Sequence, residues 1–392
     1  METLLQPVKA VFMRGGTSKG LVLHARDLPD CQARRDALFL ALMGSPDPHG
    51  RQLNGMGGGI SSLSKICVVG PSSRPDADVD YTFAQVMINE ARVDYSGNCG
   101  NMSSAIGPFA VDEGLVSVSN GDALVRIHNV NTRKVIHARF PVLDGRAQVA
   151  GDLAIPGVAG RGAPVQLNFL DPGGATTGAL LPAGKAARFL EIPGLGRLEV
   201  SMVDAANACV FVRASDIGLT GVESPAVLNG CPEILTLLEE IRIRASVAMG
   251  IAADFEQARA KRVVPFVGFV SPPRAFMTLA GETVPADDVD LTVRMLSSGQ
   301  PHMAVQLTVS LCLAAAAAIE GSVVHAVTRS PERRPVHSGA VRIGMPSGVL
   351  SAGADVVRHK PAGWHVERGY FYRTARRLFA GQAYPQPMMD QS

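Results

Sequence analysis

The sequence predicts an α+β protein built as two similar halves, each a curved sheet wrapped around a buried central helix. Three observations predict it. Most of the chain consists of short alternating or β-rich runs bounded by Gly, Pro, Asn or Asp, the pattern of strands in compact sheets. Two helical segments, residues 101–114 and 302–321, are apolar on nearly every side, so neither suits a water-facing position. At 392 residues, the chain also exceeds one ordinary core, since domains average about 100–200 residues.

Taken in order, the strand runs are Lys9–Met13, Gly20–His24, Ile66–Val69, Tyr81–Tyr95, Leu124–Val130, Val135–Phe140, Leu198–Val203 and Cys209–Arg213. Asp30 is placed to cap a helix through Ala33, Ala37, Leu38 and Leu42 that stops near Gly44. A clearer helix runs from Cys231 to Met249. Pro232 and Glu233 suit its start, Ile234, Leu238, Ile241 and Ala245 form one face, and Arg242 and Arg244 lie toward its end. Each all-apolar helix follows a polar, glycine-containing turn, SGNCGN at 96–101 and SSGQPH at 297–302. One such unit per half implies a junction near 190–200.

Composition excludes several function classes. Hydrophobic residues make up 46 % and charged residues 18 %, the opposite of a disordered balance. The net charge of +2 and 5 % aromatics leave no electrostatic footprint or stacking surface for nucleic acid. Six cysteines without a CxxC pair read as reduced thiols in a cytoplasmic setting. The N-terminus METLLQPVKAVFMRGG lacks a basic region followed by an apolar core, so it does not read as a signal peptide. The most apolar stretch, Val305 to Ile319, is too short for a bilayer, and no membrane partner is expected. MRGGTSKG (13–20) ends in Ser-Lys-Gly rather than the Gly-Lys-Ser/Thr of a phosphate loop, and GMGGG (55–59) is not GxGxxG. The histidines show neither HxH nor HExxH spacing, so no metal is expected, and no GxSxG suggests a serine nucleophile.

The chemistry concentrates in three places. Cys99 lies in the tight turn SGNCGN before an apolar helix, where the helix dipole and free N–H groups favour a thiolate. Those N–H groups, around Gly100 and Asn101, also suit a carboxylate or a developing enolate oxygen. Lys65 stands between a glycine run and an apolar strand; a lysine drawn out of water gives up its proton more readily and can act as a base. Arg14, Thr17 and Ser18 follow the first strand and could anchor carboxylates. The plain alternatives are a core cysteine beside a turn, a lysine snorkelling at a strand edge, and ordinary turn formation.

With these residues in view, MRGGTSKG, the GSPDP…GMGGGISSLSK stretch, DVDY, VDYSGNCGN, LLPAG and MPSG together resemble the PrpF family of double-bond isomerases, from about residue 8 to about residue 380. The resemblance implies a diaminopimelate-epimerase-like fold with two domains, at 1–193 and 194–367, the first completed by about 368–392, and the active site in the cleft between them. It also implies that Lys65, in SSLSK, and Cys99, in GNCGN, are the acid–base pair. Epimerases of this wider fold carry one cysteine in each half, whereas here the second-half turn reads SSGQPHM, with Cys312 well inside the helix.

The expected reaction is therefore a cofactor-independent 1,3-proton shift, or cis-trans isomerisation, in a small di- or tricarboxylate such as 4-oxalomesaconate, aconitate or 2-methylaconitate. N–H groups at both central helix starts, near Gly100–Asn101 and near Gln300–His302, would stabilise the dienolate. Further binding candidates are Ser61, Ser62, Asn98, Asn101, Arg274, Ser297, Gln300 and His302. An epimerase or racemase of the same fold, or a non-catalytic polycarboxylate-binding protein, is the competing reading. The partner expected is the small-molecule substrate, with homo-oligomerisation open.

Overall fold

The computed structural model describes residues 6–95, 99–261, 264–297, 299–330, 339–359 and 363–385. In chain order these form β1 (Val8–Gly15), β2 (Ser18–His24), α1 (Gln32–Met43), β3 (Lys65–Pro71), β4 (Val79–Val86), β5 (Val93–Asp94), α2 (Gly100–Asp112), β6 (Gly121–Asn129), β7 (Lys134–Leu143), β8 (Arg146–Ala147) and β9 (Val165–Leu170). Next come β10 (Arg188–Ile192), β11 (Gly196–Ala205), β12 (Asn207–Arg213), α3 (Pro225–Asn229), α4 (Pro232–Ala248), α5 (Phe255–Ala260), β13 (Phe266–Ser271), β14 (Phe276–Met277), β15 (Thr283–Val284), β16 (Leu291–Ser297) and β17 (Gln300–Pro301). The chain ends with α6 (Leu307–Ala318), α7 (Val323–Val327), β18 (Val341–Met345), β19 (Gly348–His359), β20 (Gly363–Arg373) and β21 (Ala375–Ala383).

Two compact units result, Met1–Asn168 with Tyr372–Ser392, and Phe169–Phe371. The division falls earlier than residue 193 because β10 pairs with β11, and β11 with β12, so that hairpin is built into the second unit.

In the first unit the strands run in the order β21–β1–β2–β3–β4–β6–β7–β9; β2–β3 and β4–β6 are parallel, while β21–β1, β1–β2, β3–β4 and β6–β7 are antiparallel. Helix α2 packs on β1, β2, β3, β6, β7, β8 and β21, which only a sheet curved around it allows. All of Met102 to Val111 is buried, including Pro108 in the helix interior. Gly107 has no room for a side chain, since a Cβ there would meet the Phe140 ring at 2.6 Å. On the other face of the sheet, α1 contributes Leu38, Phe39, Leu42 and Met43 to a core with Leu21, Leu23, Ile66 and Val68.

The second unit repeats this plan in the order β10–β11–β12–β13–β16–β18–β19–β20, with parallel joins at β12–β13 and β16–β18. Here α6 packs on β11, β12 and β19, and α4 lies over β10, β12 and β13. The succession hairpin, outer helix, parallel strand, antiparallel return, short strand, central helix, parallel strand is the same in both units. The α+β architecture expected from the two all-apolar helices is what the chain forms.

Several local expectations differ. The run Tyr81–Tyr95 is two strands, β4 and β5, because Asn89 and Glu90 break the alternation and Met87 N–H closes a turn onto Arg92 O. Helix α1 is capped at Cys31 rather than Asp30, without a side-chain hydrogen bond, and ends at Gly44 in the left-handed region (φ 72°). Helix α4 matches its expected span, but Arg242 is buried rather than at a solvated end. Its guanidinium binds Glu239 and the carbonyl oxygens of Ala258 and Lys261, closing the end of α5.

The largest difference concerns the second central helix, which begins at Leu307 and not at His302. His302 N–H donates to Met295 O, prolonging the β16–β17 pairing, and Val305 N–H points at Met345 Sδ. With those donors committed elsewhere, the helical ladder starts only after Gln306. No helix among the described residues is long and apolar enough to cross a membrane.

Candidate active site

Within the first unit, Thr17, Ser18, Cys99 and Asn101 meet at the start of α2. Cys99 is its N-cap: its backbone is extended (φ −106°, ψ 100°), and its Sγ accepts from Met102 N–H at 3.5 Å. Its carbonyl takes both the Ser103 N–H, at 2.9 Å, and the Ser103 hydroxyl, at 3.0 Å, which locks the first turn. The thiol is half-buried and lies 4.0 Å from Ser18 Oγ, at the start of β2.

The MRGGTSKG segment is the β1–β2 hairpin, and its tight turn lies against the first turn of α2. Asn101 Nδ2 donates to Thr17 Oγ1 at 3.0 Å, while its Oδ1 accepts from Thr17 N–H at 3.4 Å and from Arg373 Nε at 3.1 Å. Gly16 (φ +52°) leaves the room Asn101 needs; a Cβ there would overlap Asn101 Oδ1. Gly15 is as tightly held, its missing Cβ site lying 2.5 Å from Asn101 O and 3.0 Å from Met102 Cα.

Arg14, expected to grip a carboxylate, instead directs Nη1 at the carbonyl oxygens of Gly16 and Thr374, both at 2.9 Å. Burial first, then Arg376, holds its guanidinium below the ordinary range. Its visible work is to tie the hairpin to the strand entering β21.

Lys65 opens β3 and is buried, 7 % exposed. Nζ donates to Gln85 Oε1 at 2.7 Å and lies 4.9 Å from the Phe83 ring centre. Gly20 on β2 allows the Lys65 carbonyl to approach, since any Cβ there would overlap it. Two residues along β3, Cys67 Sγ faces Tyr81 Oη at 3.8 Å, both fully buried. Burial pushes the Cys67 thiol up to about 12.

Ser61 and Ser62 sit in a 3-10 turn just before Lys65; Ser61 is exposed and its carbonyl accepts from Gln85 Nε2 at 3.1 Å. Asn98 lies outside the described residues.

In the second unit, Ser297 and Gln300 pair across the β16–β17 turn, with Gln300 exposed. His302 follows directly; its half-buried ring is 6.4 Å from Phe266, and burial lowers the imidazole's proton affinity. The N–H groups near Gln300–His302 are therefore strand and turn donors rather than a helix start, contrary to expectation. Arg274 is exposed on the loop leaving β13 and is not gathered with them.

The matching topologies allow a direct comparison of positions. Where the first unit opens its third sheet strand with Lys65 and caps its central helix with Cys99, the second opens β13 with Phe266 and caps α6 with Gln306. Cys312 lies inside α6, fully buried, and donates to Val203 O at 3.2 Å. Only the first unit carries an amine and a thiol at these places.

Sequence reasoning missed Gln85 and Arg373. A glutamine within the β-rich run TFAQV is a usable signal. Arg373 had none, being one of three arginines in RTARR, yet it is the one that is buried, with its guanidinium lowered to about 10 by burial.

The arrangement offers a half-buried thiol at a helix N-terminus and a buried amine, with hydroxyl and N–H donors between the hairpin and the helix. Such a pair can remove a proton from one carbon and deliver one to another.

The family model described as PrpF protein matches residues 5–386. The chain is 42 % identical to the 3-methylitaconate isomerase of Eubacterium barkeri, covering 96 % of this chain and 97 % of that one. It is 39 % identical to the 2-methyl-aconitate isomerase of Shewanella oneidensis, covering 95 % and 96 %. The crystal structure of a methylitaconate-delta-isomerase superposes with a TM-score of 0.88 at 41 % identity, over 97 % of this chain and 96 % of that one. A whole-chain match of this kind, on a fold whose first unit holds the amine and the thiol, means that the chain is an isomerase and belongs to the PrpF family.

Proposed function

We propose that this isomerase moves a carbon–carbon double bond within a small unsaturated di- or tricarboxylate, with Lys65 and Cys99 as its acid–base pair. The observation that carries the reading is geometric: Cys99 Sγ, at the cap of α2, lies 4.0 Å from Ser18 Oγ at the start of β2, and Lys65 opens β3, which runs beside that same strand with the Lys65 carbonyl against Gly20. The names of the relatives, isomerases of 3-methylitaconate and 2-methylaconitate, support an unsaturated polycarboxylate.

In this reading the substrate carboxylates are held by Thr17, Ser18 and the N–H groups of Gly100 and Asn101. One of the pair removes a proton from the carbon beside the double bond, and the electron pair moves into a dienolate. The dipole of α2 stabilises that negative charge. The other group returns a proton to the far carbon, so the double bond shifts and no atom is gained or lost. Gln306 at the equivalent cap of the second unit supports a single lysine–cysteine pair over the two thiols of an epimerase. The six cysteines are all free, which supports a reducing, cytoplasmic setting.

The test is an ultraviolet assay over 2-methylaconitate, 3-methylitaconate, aconitate and 4-oxalomesaconate, because moving conjugation changes absorbance. It is run with Lys65→Met and Cys99→Ala in deuterated solvent. Each variant is expected to lose at least about 10²-fold in rate and to change deuterium uptake into substrate or product. Full activity with unchanged exchange in both variants would remove the pair from the mechanism.

A further inference from the structure

We propose that Gln85 is a positioning residue for Lys65: its amide fixes where the amine sits and keeps the group facing it uncharged. The inference rests on Lys65 being one of the two proton-transfer groups.

The geometry is over-determined. Lys65 and Gln85 are directly opposed in the β3–β4 register. Gln85 Nε2 donates to Ser61 O at 3.1 Å and Ser64 O at 2.8 Å. Two carbonyls can only accept, so they dictate which end of the amide is NH2 and turn its oxygen toward Lys65 Nζ, 2.7 Å away. The carbonyls are braced in turn. Ser64 Oγ donates to Val86 O at 2.8 Å and accepts from Gln52 Nε2 at 2.8 Å, and Gln52 is itself buried.

An amide oxygen accepts from an ammonium and from a neutral amine alike. It therefore tethers Nζ through both halves of a proton transfer without favouring either strongly. A carboxylate in the same place would attract the ammonium and retain its proton. The other titratable groups around Lys65 do not replace it. Cys67, on β3, and Tyr81, on β4, are both raised by burial and so neutral near pH 7. Cys99, at the start of α2, is the proposed partner in catalysis.

The experiment compares Gln85→Leu and Gln85→Glu with the parent protein, measuring kcat, KM, the pH dependence of kcat/KM and thermal unfolding. Gln85→Leu is expected to lower kcat by about 10²-fold, the scale of a 1 Å misplacement, while KM changes less than about threefold. Gln85→Glu is expected to move the midpoint of the kcat/KM limb that reports Lys65 to higher pH, because a carboxylate opposite the amine holds its proton, whichever half of the transfer Lys65 performs. A purely structural glutamine would lower the melting temperature in both variants and leave that midpoint in place. Parental kcat in Gln85→Leu, or an unmoved midpoint in folded Gln85→Glu, overturns the proposal. Should Gln85→Leu not fold, the near-isosteric Gln85→Glu decides by its midpoint alone. Loss of the acid–base assignment itself would appear separately, as an active Lys65→Met.

Discussion

Replacing Gly15 by Ala puts the reasoning about the hairpin and α2 to a quantitative test. Gly15 has ordinary backbone angles, so alanine brings no conformational penalty; all of its effect comes from the added methyl. That carbon would lie 2.5 Å from Asn101 O, 3.0 Å from Met102 Cα and 3.3 Å from Ala105 Cβ. Ordinary contact begins near 3.4 Å, so β1 and the first turn of α2 must separate by about 0.9 Å. Both obstacles at closest range are backbone, which cannot swing aside as a side chain would. Overpacking of this kind costs about 1–3 kcal/mol. A shift of nearly 1 Å in the turn carrying Cys99 should cost on the order of 10²-fold in kcat. The control is Gly114→Ala, just past α2, where φ is +70° and no atom lies within 4 Å. It should lose about 1–2 kcal/mol through left-handed strain alone and keep full turnover. Urea unfolding and steady-state kinetics on both variants separate the effects. Gly15→Ala with parental kcat and parental stability would show that the hairpin does not hold α2 in the manner described.

Thiol labelling should divide the cysteines by position: Cys31, Cys99 and Cys231 should take up iodoacetamide in the native protein, and Cys67, Cys209 and Cys312 should not. Peptide mapping by mass spectrometry reads this, and rapid native labelling of Cys67, whose thiol burial raises to about 12, would contradict it. Asp47 accepts backbone N–H bonds from His49, Arg51 and Gln52, which hold its carboxyl below the ordinary carboxylate range. Because this pKa is depressed on folding, the order it lends the 47–52 loop is complete at neutral pH and lost only as pH falls below about 4. The protection of that loop's amides, taken relative to their intrinsic exchange rate at each pH, should fall in acid and, in Asp47→Asn, already at pH 7; equal protection in both proteins would refute the role. Arg242→Met should destabilise by about 3–5 kcal/mol, because Glu239 and two carbonyls lose a buried partner. Chemical denaturation measures the loss, and turnover per folded molecule should be unchanged.

The α+β class, the two all-apolar helices and the GNCGN and SSLSK chemistry could be read directly, because burial and helix-start electrostatics leave local marks on residue choice. Helix α4 shows this well: Pro232 at its start and the stripe of Leu238, Ile241 and Ala245 mark its extent in the sequence. Where hydrogen bonds came from far along the chain, local reading failed. Residues 302–306 look helical in composition, yet Met295 O and the Met345 sulfur take their donors, and α6 starts late.

The site divides along the same line. Cys99 and Lys65 announced themselves by their immediate neighbours, a glycine turn and an apolar strand. That Gln85 faces Lys65 depends on the β3–β4 register, and that Arg373 reaches Asn101 depends on a strand 272 residues away returning beside β1. What the amino-acid order alone determined was which residues could do proton chemistry and which segments had to be buried, since both follow from side-chain type and short-range periodicity. Which partner each side chain meets was decided only by the tertiary structure, because strand pairing joins residues whose separation in sequence carries no local physical signal.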